Sequence, residues 1–363
     1  MLDWGLGHVS RSIPIIEYFQ QQQWHIVIAC DSNQYKLLVS QFPNAEFQTL
    51  PGYQISFGKT RVKTLLKIIR QSIKILTKIK FENKWITLFL AERKAQLIVS
   101  DNRYGFYHPS VPSVFITHQL KIKSSLGALV DRFLAFLNKK HLQHFDQIWV
   151  PDLEDQRLSL GGTLSQTSKS HSLPVHYIGP ISRLIPENNL EKKRKYLAIL
   201  SGPEPQRSIL EQSLTNGFKK NKQALTIVCG TVTNPQSSQD DCIERIGYAD
   251  ANQLNKLIAS SEYIISRSGY SSLMDYALLG CKAILIPTPG QAEQEYLAKR
   301  FADKGWAACL NQGEASFESI EQLVQSTVFQ PFHSSQQFNK EQLHQQIKSN
   351  LMCLMKVEAD AVN

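Results

Sequence analysis

The segment Asp3-Trp4-Gly5-Leu6-Gly7-His8 sets two glycines and a histidine just ahead of a helical pattern over Arg11–Gln21. Glycines at a helix start expose backbone N–H groups and let a ligand come close to the chain. The imidazole of His8 titrates near neutral pH, which makes it the candidate general base for taking a proton from a hydroxyl. A capping or packing histidine would occupy the same place. Position 10 is serine, so Gly5 and Gly7 do not complete a G-x-G-x-x-G dinucleotide fingerprint.

The second half holds the groups suited to an anion. Tyr196–Leu200 runs into Ser201-Gly202-Pro203-Glu204-Pro205-Gln206-Arg207. A strand, a turn at Gly202 and prolines near a helix start build an anion-receptive helix N-terminus, to which Arg207 can add charge. An ordinary β–α turn has the same make-up. The richest segment is Ile264–Asp275, where a buried strand delivers Arg267, Ser268, Gly269 and Tyr270 to a helix beginning at about Ser271. Its free N–H groups and the hydroxyls of Ser271 and Ser272 suit a diphosphate. Asp275, about one turn inside, can accept both hydroxyls of a ribose. Arg267 follows the strand directly and reads equally well as structural. After Ala283–Pro287, a further helix opens with Gln294 and Glu295, whose amide and carboxylate suit sugar hydroxyls. Acidic residues also favour a first helical turn for its dipole alone.

These groups must be carried by β–α units. Apolar, β-branched runs at His25–Cys30, Glu46–Leu50, Leu97–Ser100, Val114–Thr117, Gln147–Val150 and His176–Ile178 predict parallel strands in the first half. Tyr196–Leu200, Leu225–Val228, Tyr263–Ile265 and Ala283–Ile286 do so in the second. The expected organisation is a Rossmann-like domain over 1–183, a linker at 184–195, a second Rossmann-like domain over 196–345 and a C-terminal tail or helix over 346–363. Residues 62–80 predict a basic amphipathic helix, with Lys63, Lys67, Arg70, Lys74 and Lys78 on one stripe and Val62, Leu65, Leu66, Ile69, Ile73 and Leu76 on another.

Composition narrows the class. The chain has 363 residues, 42% hydrophobic and 20% charged, which fits two folded domains. The net charge of +9 lies wholly in residues 1–190, which hold 22 Lys and Arg against 13 Asp and Glu; residues 191–363 hold 18 of each. An anionic partner for the first half follows, and a membrane surface fits better than nucleic acid because no aromatic stacking motif accompanies the charge. The six cysteines are scattered, with no C-x-x-C or Cys/His cluster, so neither zinc nor a disulfide framework is indicated. No apolar run reaches the roughly 20 residues that span a bilayer, and Asp3 interrupts any signal-like start. A cytoplasmic protein, peripheral to the membrane's inner face, is expected.

The stretch Ser266–Phe301 resembles the C-terminal domain of glycosyltransferase family 28, the MurG-like enzymes. That family's motif reads roughly R-S-G-x-x-[ST]-x-x-E, then a buried strand ending in proline, then Q-Q near a helix start. Arg267, Ser268, Gly269, Ser272, Asp275, Pro287, Gln294 and Glu295 stand at those positions. Asp275 replaces Glu and Glu295 replaces the second Gln, so the donor sugar need not be N-acetylglucosamine. Gly5-Leu6-Gly7-His8 resembles the family's acceptor-side loop. Asp101-Asn102-Arg103-Tyr104-Gly105 and His118-Gln119 are similar to a bacterial subgroup of predicted glycosyltransferases, and both follow first-half strands, where loops reach a cleft.

The resemblance implies an α/β GT-B fold, two parallel-sheet domains facing a cleft, and a single inverting displacement from a nucleotide-sugar, a UDP-sugar by that resemblance, onto an unknown acceptor. His8 would be the base, Ser268–Ser271 would face the diphosphate, and Gly247-Tyr248 would meet the nucleobase. Arg207 or Arg267 would steady the leaving group. No D-x-D lies between a strand and a loop, so neither metal nor other cofactor is called for. A GT-B sugar-nucleotide epimerase and a non-catalytic nucleotide-sugar-binding protein are the alternatives. In such proteins a buried strand precedes the Gly-Leu-Gly-His loop. Met1 stands almost directly before it, so a truncated start lacking the first strand is expected.

Overall fold

The computed structural model describes residues 1, 6–53, 61–124, 127–167, 173–187, 190–202, 204–230, 238–332 and 338–362, without the side chains of 6, 61–73 and 356–362. The first half runs α1 Leu6–Gln21, β1 Val27–Cys30, α2 Ser32–Leu38, β2 Glu46–Thr49, α3 Arg61–Glu92, β3 Ile98–Asp101, β4 Ser113–Ile116, α4 Ala128–Leu142, β5 Gln147–Val150 and β6 Val175–Tyr177. The second runs β7 Arg194–Ile199, α5 Gln206–Lys220, β8 Leu225–Val228, β9 Ser238–Asp240, β10 Ile243–Ile246, α6 Ala251–Ala259, β11 Ser261–Ser266, α7 Tyr270–Leu279, β12 Lys282–Leu285, α8 Ala292–Asp303, β13 Ala307–Cys309, α9 Phe317–Ser326 and α10 Lys340–Val362.

The second-half sheet has the order β13-β12-β11-β7-β8-β10-β9, parallel except for β9. Strands such as Leu-Thr-Ile-Val in β8 are buried throughout, because helices cover both faces of a parallel sheet. All ten strands expected from apolar runs form, with ends moved by at most two residues. β9, β10 and β13 were not anticipated. β9 is wholly exposed, β10 interrupts its apolar residues with Glu244 and Arg245, and β13 is built from alanines.

In the first half the strands fall into two groups, β1-β2 and β3-β4-β5-β6, all parallel. β1 and β3 belong to separate sheets. α3 forms over the predicted basic helix. Most of its lysine stripe (Lys63, Lys67 and Arg70) lies outside the described side chains, and Leu76 is exposed rather than packed.

α10 returns to the first half. Leu343, Ile347, Leu351 and Leu354 join one buried cluster with Tyr18, Trp149 and Ile178. Gln147 Nε2 donates to the Asn350 carbonyl at 2.9 Å, and Lys340 pairs with Glu17 at 2.6 Å. Each buried aliphatic side chain is worth roughly 2 kcal/mol, so this helix ties the two halves together.

Gly105 lets α3 approach β3. A Cβ built there would lie 2.0 Å from the Ile79 carbonyl oxygen and 2.8 Å from Glu82 Cβ. Backbone cannot give way as a flexible side-chain tip would, so Gly105→Ala is expected to destabilise the protein by about 2–3 kcal/mol. A urea midpoint that does not fall would refute this packing.

Candidate active site

β3 and β4 end at the cleft and deliver its polar groups. Asp101 is the last residue of β3, and His118 follows β4 by two residues. α1 brings His8 and Arg11 to the same place, one turn apart on one helix face. His8 Nδ1 lies 2.7 Å from Asp101 Oδ1. Arg11 clamps the same carboxylate with both prongs of its guanidinium, Nε to Oδ2 at 2.8 Å and Nη2 to Oδ1. Ser12 Oγ adds a bond to Oδ2 at 3.0 Å.

Arg11 Nη2 also lies 2.9 Å from His8 Nδ1, but it already donates to Asp101 Oδ1; the shorter Nδ1 contact is to the carboxylate, which only accepts, so a proton on Nδ1 makes that bond and leaves Nε2 with a free lone pair. Burial and then the Arg11 cation hold the His8 pKa below its ordinary value, against an opposing pull from Asp101. His8 is therefore neutral near pH 7, as a base must be. Burial pushes the Asp101 carboxyl up. The Arg11 and His8 charges and their hydrogen bonds outweigh it and hold Asp101 well below the usual carboxylate range.

The neighbouring residues of this motif do other work. Asn102 adopts φ +53° to turn the chain out of β3, and its amide oxygen, oriented to satisfy the whole side chain, lies 3.2 Å from Arg11 Nη2. Arg103 departs from the expected acceptor-side role. It is buried and donates to the Met1 and Pro51 carbonyls and to Glu82, so it braces the domain interior. Gly5 lies outside the described residues.

Across the cleft stands the N-terminus of α7, capped by Gly269, with open space where a Gly269 side chain would project. Gly7 abuts it: a Cβ on Gly7 would sit 3.0 Å from Ser271 Oγ. The base loop and the Ser271 turn thus meet directly. Gly202, at φ +99°, also faces open space, and Gly247-Tyr248 leaves the end of β10 on the same side of the sheet. Asp275 accepts from Ser182 Oγ, where the chain crosses between halves. Burial, partly offset by Ser182 and Arg183, pushes the Asp275 carboxyl up to about 6.

Several expected donor contacts need correcting. Arg267 is buried and spends its guanidinium on the carbonyls of Ile286, Pro287 and Gln206 and on Gln312, so it anchors β11 and cannot reach a diphosphate. Arg207 is bound to Glu204 and the Cys229 carbonyl. Ser268 Oγ donates to the Gln294 carbonyl, and Tyr270, buried, donates its hydroxyl to the Pro151 carbonyl. Ser268 and Tyr270 therefore offer a ligand their backbone rather than their side chains. Gln294 and Glu295 accept from the N–H groups of Thr288 and Gly290, which fixes their own loop.

Three residues of the candidate site escaped the sequence reading. Arg11 signals itself only through its i, i+3 spacing from His8. Glu293, in the first turn of α8, reaches over to His118 Nε2 at 2.8 Å. Arg183, beside Asp275, keeps a buried Nε without a partner among the described residues. Among those residues no cluster of His, Cys, Asp and Glu has the make-up of a metal site, and no helix is long and apolar enough to cross a membrane.

Residues 196–352 match the glycosyltransferase family 28 C-terminal domain. The chain is 24% identical over 342 residues to a UDP-N-acetylglucosamine--N-acetylmuramyl-(pentapeptide) pyrophosphoryl-undecaprenol N-acetylglucosamine transferase of Clostridium botulinum, spanning 89% of this chain and 85% of that protein. A second such transferase, from Bacillus cereus, is 25% identical over 341 residues, 88% of each. Among solved structures, the glycosyltransferase of kitacinnamycin superposes with a TM-score of 0.61 at 11% identity, covering 97% of this chain and 96% of that one. Acinetobacter baumannii MurG does so at 0.51 and 15%, covering 93% and 89%. The fold is therefore GT-B, two parallel-sheet halves closed on a cleft. The chain is a glycosyltransferase whose residues 196–352 match the family 28 C-terminal domain and which is similar to the MurG-like enzymes over most of its length.

Proposed function

We propose that the chain moves a hexose-type sugar from a UDP-sugar, with inversion and without a metal, onto a lipid-linked or cell-envelope acceptor. The observation that carries this reading is the His8–Asp101 pair set directly against the α7 N-terminus. The acceptor hydroxyl gives its proton to His8 Nε2 as its oxygen bonds to the anomeric carbon. The bond from that carbon to the diphosphate oxygen breaks, and the leaving charge faces the free N–H groups of α7 and the Ser271 hydroxyl. Asp275 holds the ribose, and Gly247-Tyr248 lies against the base.

UDP is favoured by the donor named for the relatives above. An apolar acceptor is favoured by α4, where Leu129, Phe133 and Phe136 are 82%, 60% and 64% exposed in an i, i+4, i+7 stripe beside Arg132 and Lys140. Such a face suits the inner surface of a membrane.

Calorimetry with UDP, GDP, ADP and dTDP in EDTA tests the donor site. One diphosphate should bind selectively, and Asp275→Ala should weaken it about 10- to 100-fold through lost charge-assisted hydrogen bonds. Because ribose needs the ionised carboxylate, affinity should rise as pH climbs through about 6. No binding by a folded sample would sink the assignment.

A further inference from the structure

We infer that Glu293 is a positioning residue for the base, supplied across the cleft by the donor-side helix, so that His8 is fully set only when the two halves are closed. The inference rests on the base role proposed for His8.

The donors and acceptors leave little choice of arrangement. A guanidinium only donates, so His118 Nδ1, 3.1 Å from Arg11 Nη1, must present its lone pair. The proton of the neutral ring then sits on Nε2 and needs an acceptor, which is Glu293 Oε1 at 2.8 Å. The ring is stacked on Tyr270 at 4.0 Å and 6°, so it cannot turn away without losing that contact. His118 in turn fixes Arg11, Arg11 fixes the plane of Asp101, and Asp101 holds His8 Nδ1. Of the five side chains in this hydrogen-bonded chain four belong to the first half, and Glu293 comes from the second, as does Tyr270 stacked on the His118 ring. Without Glu293 the Nε2 proton loses its acceptor, only the 3.1 Å contact to Arg11 Nη1 still opposes the other tautomer, and the clamp on Asp101 loosens.

Other contacts close the same interface. Tyr296 Oη accepts from the Thr163 N–H at 2.9 Å, and Arg300 Nη2 donates to the Ser159 and Gln156 carbonyls at 2.6 and 2.8 Å. Glu293 is the member of this set that connects to the base.

The test uses the full chain labelled with ¹⁵N-histidine, read by long-range ¹H–¹⁵N spectra without substrate. His8→Gln and His118→Gln assign the signals. The wild type should show His118 protonated on Nε2 and His8 on Nδ1. Glu293→Ala should move both rings toward the mixed tautomers of free histidine, and Glu293→Gln, whose amide oxygen still accepts, should restore them. Unchanged spectra in a Glu293→Ala protein with wild-type circular dichroism overturn the inference. In turnover, Glu293→Ala should lower kcat about 10- to 100-fold with donor KM within about twofold. A raised donor KM with kcat intact would mean that the carboxylate reads the sugar, and would also overturn it. The spectra need no turnover, so they stay decisive if His8 proves not to be the base.

Discussion

Replacing His8 by alanine should lower kcat by about 10²- to 10⁴-fold, the usual contribution of a positioned general base, while the affinity for the nucleotide diphosphate stays as it was. The split is expected because His8 touches the first-half carboxylate Asp101, whereas the proposed donor groups lie on α7 and its neighbours. The pH dependence is a second reading of the same residue. Burial, and then Arg11, hold the His8 pKa below the ordinary histidine value, with Asp101 opposing. The neutral, competent ring is lost only as pH falls through that lowered value. At saturating donor, which removes the Asp275 contribution to binding, the acid limb of kcat should therefore lie below about 6.5, the value of a free histidine, and should vanish in the variant. Turnover unchanged by His8→Ala would remove the residue from the mechanism. A limb above 6.5 would mean that the ring is charged at rest and cannot serve.

The sequence made some of this site visible and concealed the rest for identifiable reasons. Runs such as Val114–Thr117 and Leu225–Val228 announce their strands because both sheet faces are buried and every residue is apolar or β-branched. β13 gives no such signal, since its alanines are chosen by tight packing against β12 and not by strand propensity. The glycine–histidine loop and the Ser/Gly turn are local features, and the cleft brings them together as Gly7 and Ser271.

What the sequence could not disclose is how each charged group is satisfied. Arg103 and Arg267 carry the right charge for a cleft, yet both are fully buried and bonded to backbone carbonyls, which depends on contacts many residues away. On α8, residue type favoured Gln294 and Glu295, but the helix begins at Ala292. That start turns Glu293 toward the first half and leaves the other two holding their own loop. The seat of α10 against Trp149 and Tyr18 is likewise long-range, and no local pattern points to it.

The Asp101 carboxylate concentrates both the stability and the chemistry of the cleft, so Asp101→Asn should be the most damaging isosteric change in the protein. The carboxylate accepts from Arg11 Nε and Nη2, from Ser12 Oγ and from His8 Nδ1. An amide has one acceptor oxygen, and its NH₂ must point at one of these donors. Arg11, 1% exposed, is left without a countercharge. Breaking a buried pair in this way costs about 3–5 kcal/mol. His8 meanwhile finds a donor facing Nδ1 and moves its proton to Nε2, which removes the lone pair that takes the acceptor proton, so kcat should fall by at least about 10²-fold. The stability loss has its own pH signature. A carboxylate held well below its unfolded value, about 4, gives its full stabilisation above pH 4 and loses it as pH falls toward the folded value. Urea titrations at pH 7 and 5 should therefore show the same large deficit for the variant, and at pH 3 a smaller one. A deficit under about 1 kcal/mol at pH 7 would show that Arg11 finds another partner, and the clamp on His8 would have to be abandoned with it.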